Sequence, residues 1–190
     1  MPFLSDIVFD QLIYPLATVL SLILYDMTGT HLAISLPNAK LMRFLHPFEN
    51  TSDCEQHIER NDQKNITLFT YEDNMDWLII NSYFENIPQL QKINIFCSSI
   101  EDQDYWTDRT DCFRNKIKEP FLRDELDLQL LLFGRTHTHK VYKELYEKEG
   151  SVSNIVKEDA NKILNALSIY FQNKINAEEQ QIRPSEEAQT

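Results

Sequence analysis

Two short apolar runs, TVLSLILY at residues 18–25 and INIFC at residues 93–97, constrain this 190-residue chain more than any other feature. Hydrophobicity that is nearly continuous over five to eight residues is the pattern of a strand buried on both faces, as in parallel sheets with helices on either side. Residues 65–71 (NITLFTY), β-branched and aromatic, read as a third strand. The runs 18–25 and 93–97 are expected side by side at the centre of one sheet.

Helical patterns fill the intervals. Ser52 with Glu55 reads as a capping box opening a helix over 53–60. Acidic Glu72, Asp73 and Asp76 precede Trp77, Ile80 and Phe84 at helical spacing, which predicts a helix over about 74–86 that stops before Pro88. A further short helix, 101–108, carries Tyr105 and Trp106. Residues 126–133 (LDLQLLLF) point two ways: Leu126, Leu128, Leu130 and Leu132 alternate as in a strand, while leucine-rich composition suits a helix. The alternation favours the strand. From His137 the pattern is helical, with Gly150 as the expected C-cap. A last helix keeps an apolar stripe over about five turns, from Ile155 to Ile175 through Leu164, Leu167 and Phe171.

Strands separated by helix-length segments form right-handed crossovers. The expected fold class is therefore α/β: a small doubly wound, mostly parallel sheet of the flavodoxin-like kind, with C-terminal helices packed on it. Residues 1–176 read as a single domain and 177–190 as a flexible polar tail.

Charge and glycine content remove several function classes. Eighteen Lys and Arg against thirty Asp and Glu give a net charge of −12, which would repel a phosphate backbone, so no nucleic-acid partner is expected. Three scattered glycines, Gly29, Gly134 and Gly150, allow neither a Walker loop nor a dinucleotide-binding fingerprint, and no G-x-S-x-G elbow occurs. Cys54, Cys97 and Cys112 lack C-x-x-C spacing, which argues against a disulfide framework and against a four-cysteine zinc site. A cytoplasmic setting is the expectation. The uncharged stretch 11–25 is shorter than the roughly 20 residues a membrane span needs and contains Pro15, so no membrane partner is expected. No metal or cofactor is assigned.

Tyr25-Asp26 after an apolar strand, the Asp53-Cys54-Glu55 to Ile58 helix before NITLFTY, and IPQLQKINIFC (87–97) followed by Trp106 together resemble a known module. It is an uncharacterised α/β module that in some invertebrate proteins precedes an arginine-specific ADP-ribosyltransferase domain or tetratricopeptide repeats. The resemblance covers residues 18–117 and implies no activity of its own. Glu147 and Glu149 form the Glu-x-Glu such a transferase uses, without the accompanying Arg strand and Ser-Thr-Ser segment, and so mark no catalytic residue.

Ligands of doubly wound sheets bind beyond the carboxyl ends of the strands. That rule nominates Asp26, Glu72, Asp73, Cys97, Ser98 and Ser99 as ligand-binding candidates, with Thr28, Glu101 and Asp102 nearby. Converging carboxylates there could hold Mg²⁺ and accept a phosphoryl group, or one could serve a nucleotide-cleaving site of the TIR type; equally, acidic residues in a first helical turn are explained by the helix dipole. Cys97 is read as a packing thiol, since its acidic neighbours disfavour a thiolate. His137 and His139 face apart on a helix and are read as its solvated start; His46 and His57 belong to no motif. Missing phosphate loops, triads and metal spacings favour a non-catalytic interaction or sensor module with a protein partner; the C-terminal apolar stripe reads first as internal packing and, as the alternative, as a helix that could dock that partner.

Overall fold

The computed structural model describes residues 2–25, 33–80, 83–148 and 150–182. Five parallel strands form one sheet in the order β2-β1-β3-β4-β5: β1 Val19–Leu24, β2 Leu45–Phe48, β3 Asn65–Tyr71, β4 Leu90–Cys97 and β5 Phe121–Leu122. This is the doubly wound, flavodoxin-like order. α1 (Thr51–Arg60) joins β2 to β3, α2 (Met75–Ile80) and α3 (Tyr83–Asn86) join β3 to β4, and α4 (Ile100–Thr110) joins β4 to β5. Two long helices, α5 (Leu126–Lys148) and α6 (Gly150–Ile182), are the last elements among the described residues.

Period-two alternation divides the core between the sheet's faces. Leu20, Leu22, Leu24, Ile66, Leu68, Ile93, Ile95 and Cys97 meet α1 to α4, while Ile23, Phe69, Tyr71 and Phe96 meet α5, α6 and the N-terminal segment. Gln91 is extra in the β3–β4 register, where Ile66 pairs with Leu90 but Thr67 with Lys92. This bulge lets Leu90 and Ile93 face the same layer although three residues apart.

β3 lies between β1 and β4, which corrects the expectation that the two runs are adjacent. INIFC follows NITLFTY by a single crossover and pairs with it in parallel, while the chain from β1 first turns outward to β2. β2 (LHPF) is a short edge strand, where Pro47 costs no central ladder bond. Among the described residues the β1–β2 connection holds no α-helix, only a 3₁₀ turn at Ala39–Leu41; Leu4, Ile7, Ile13, Tyr14 and Ala17 of the N-terminal segment fill that layer.

Residues 126–133 are helical, which overturns the strand reading. The buried positions are Leu126, Leu130, Leu131, Gly134, His137, Thr138, Val141 and Leu145, a helical spacing, while Leu132 stays exposed. Gly150 opens α6 rather than capping the preceding helix. The glycine that packing demands is Gly134: a Cβ there would sit 2.6 Å from Phe44 Cζ and 3.2 Å from Ile163 Cδ1. Asn50, not Ser52, caps α1, accepting the Asp53 amide at 2.8 Å. α6 runs to Ile182, into the segment read as a tail; residues 183–190 are outside the described set.

Candidate functional site

At the carboxyl edge, three of the nominated residues, Glu72, Ser98 and Ser99, come together with Asp102. Glu72 leaves β3 and is 6 % exposed. Its Oε1 accepts from the Ser98 amide at 3.0 Å and from the Ser98 hydroxyl, so the ends of β3 and β4 are bridged. Ser98 Oγ also lies 3.1 Å from Asp102 Oδ2, and Ser99 Oγ donates to that same oxygen at 2.6 Å. Ser98 has one hydroxyl proton and serves one carboxylate at a time. Ser99 is the N-cap of α4, accepting the Asp102 amide at 3.1 Å.

Burial and the neighbouring carboxylates set the chemistry of this edge. Cys97 is fully buried, and desolvation, followed by Glu72 and Asp102, pushes its thiol well above the usual range. It cannot serve as a ready nucleophile. Burial raises the Asp73 carboxyl, with Glu72 and Asp102 adding repulsion. Glu72 Oε2 is buried without a hydrogen-bond partner. Among the described residues no group of three or more His, Cys, Asp or Glu side chains is arranged to hold a metal ion. Asp26 and Thr28, the β1 members of the predicted set, lie outside the described residues.

The histidines depart from their sequence reading. His137 sits mid-helix, 4 % exposed, with its ring against Tyr14, Phe44 and Phe133 at 5.3 to 6.2 Å. It is therefore not a solvated helix start. Residues distant in sequence make that environment, so no local pattern marks it. His46 and His57 stand edge to face with ring centres 4.6 Å apart. Burial lowers both, His46 to about 4.

A cleft of about 920 Å³ lies between residues 33–41, the start of α5 and the flank of α6. Asp127 at its floor is already engaged, accepting from Asn38 N at 2.9 Å and Asn38 Nδ2 at 2.7 Å. Beside this cleft α6 leaves the body. Among the described side chains of α6 Leu167 is the last that is buried, and residues 168–179 are all exposed, including Ile169, Tyr170, Phe171 and Ile175. At 33 residues the helix is about 50 Å long. No helix among the described residues is long and apolar enough to cross a membrane.

Comparison of the chain with protein-family models, with curated proteins and with solved structures finds no match.

Proposed function

We propose that the protein is a non-catalytic interaction module whose docking element is the projecting half of α6, and that its partner is a second copy of the same chain. The observation that carries this reading is the exposed apolar stretch beyond Leu167, which a solitary helix end would leave in water. Leu164, Phe171 and Ile175 fall seven and four residues apart, on one flank of the helix. The flanking charges favour self-pairing. In an antiparallel arrangement centred between Leu167 and Ser168, Leu164 of one copy lies opposite Phe171 of the other. Lys157 then meets Glu178 at both ends.

Sedimentation equilibrium tests it. The full chain is expected to sediment as a reversible dimer, and Phe171→Glu as a monomer with unchanged circular dichroism. A wild-type monomer throughout a micromolar-to-submillimolar range contradicts the reading.

A second reading rests on Glu72 Oε2, buried and without a partner beside Ser98 and Asp102. Such a carboxylate would suit a site that binds Mg²⁺ and accepts a phosphoryl group, or one that cleaves a nucleotide. A Mg²⁺-dependent rise in melting temperature, or nicotinamide release from NAD, lost in Glu72→Gln would support it. Neither effect in the wild type would end it.

A further inference from the structure

A second pocket lies at the opposite edge of the sheet from the candidates above. It has a volume of about 340 Å³, within the range of small-ligand sites, and opens between the amino-terminal halves of β1, β3 and β4 and the flank of α5. In a chain with thirty acidic and eighteen basic residues, its lining contains Lys92, Lys118 and Lys140 and no carboxylate. These lysines come from three separate places: β4, the segment before β5, and α5.

The sheet beneath is polar where a helix-covered face is ordinarily apolar. Thr67 and Asn94 alternate with the buried Ile66, Leu68, Ile93 and Ile95, so both point to the α5 side, half-buried. Thr67 pairs in register with Lys92. His137 lines the same pocket, is 4 % exposed, and its Nε2 has no hydrogen-bond partner. Burial and the Lys140 ammonium keep that imidazole neutral, and a neutral imidazole retains one N–H to donate. Phe133 supplies an apolar wall.

We infer that this pocket binds a small molecule bearing a phosphate group, the three lysine ammoniums and the hydroxyl and amide donors of Thr67 and Asn94 taking its oxygens. Three ammoniums with no carboxylate in the lining suit a dianion such as phosphate, which lysine binds as a compact point charge. The apolar wall leaves room for a ring or alkyl group next to the anion. The site is independent of α6 pairing, since none of its lining residues belongs to that helix.

The test uses inorganic phosphate and pyrophosphate as probes on the full chain, with sodium chloride and acetate at matched ionic strength as controls. Melting temperature and amide resonances are followed to about 20 mM anion, a range in which a millimolar site gives a measurable stabilisation. The expected result is a saturable rise with pyrophosphate above phosphate and none with acetate, with resonance shifts at Thr67, Asn94 and Lys118. Lys118→Gln combined with Lys140→Gln is expected to weaken binding about ten-fold, from partly exposed charge contributions that add. Lys162→Gln, on α6, is expected to leave it unchanged. Absence of saturation with both phosphates overturns the proposal, as does equal affinity in the double variant, whose fold is checked by its amide spectrum.

Discussion

Tyr14 donates a hydrogen bond of 2.8 Å to Asp159, joining the N-terminal segment to α6 across 145 residues of sequence. Arg43 reaches the other oxygen of that carboxylate at 3.4 Å and pairs with Asp10 as well. Asp10 in turn accepts from the amides of Leu12 and Ile13. The base of α6 is thereby held to the body before the helix projects from it. Tyr14→Phe leaves the buried Asp159 oxygen without its neutral donor and is expected to cost about 1–2 kcal/mol in urea unfolding. An unchanged midpoint would mean that the tie contributes nothing.

Close packing makes Gly134 intolerant of a side chain. Alanine would gain about 1 kcal/mol of helix propensity. The added methyl, however, meets the ring of Phe44, which is fully buried and cannot swing aside. The net expectation for Gly134→Ala is a loss of about 1–3 kcal/mol, read from chemical denaturation. A more stable variant would contradict the packing described for α5.

Acidification should weaken the fold through its histidines. His137 and His46 are held below their ordinary value, to about 3 and about 4, mainly by burial, and His57 is lowered in the same way. The unfolded chain therefore binds more protons than the folded one below about pH 6.5, so stability is complete above that pH and declines as pH falls towards 4. His137→Phe is expected to flatten the decline, measured as the unfolding midpoint against pH. An unaltered slope would show that this imidazole is not buried neutral.

Thiol chemistry separates the three cysteines. Cys112 is exposed, whereas Cys54 and Cys97 are buried, with Cys54 pushed up to about 12. A chromogenic disulfide reagent should titrate one thiol in the native protein and three after denaturation. Rapid native reaction at Cys97, seen as loss of signal in Cys97→Ala, would reverse its assignment as a packing residue.

Where local patterning and tertiary environment agree, the fold was readable in advance. β1, β3 and β4 announce themselves because both their faces are buried; α1 was legible as a helix, although its cap is Asn50 and not the Ser52 of the expected capping box. β2 gave no such signal: LHPF is four residues long, contains a proline and a histidine, and pairs on one side alone. Residues 126–133 misled because four leucines at even positions imitate a strand; burial instead follows Leu126, Leu130 and Leu131. At the carboxyl edge, the meeting of Glu72 with Ser98 follows from strand-end geometry. That the Ser98 hydroxyl stands within reach of two carboxylates, donating to one at a time, does not, because it depends on β3 and β4 being neighbours in register. The burial of His137 was equally illegible, since Tyr14 and Phe44 lie far from it along the chain.

The geometry of α6 pairing offers the most direct test of the proposed role. Spin labels are placed at Ser168, beside the pairing centre, or at Asn176, and distances between copies are measured by pulsed dipolar spectroscopy. Antiparallel pairing predicts a short separation at position 168 and one displaced by a further 25 Å or so along the helix axis at position 176, from about 17 residues of helical rise. Equal separations at both positions, or no dipolar coupling at either, would contradict the claim that α6 docks against a second copy of the chain.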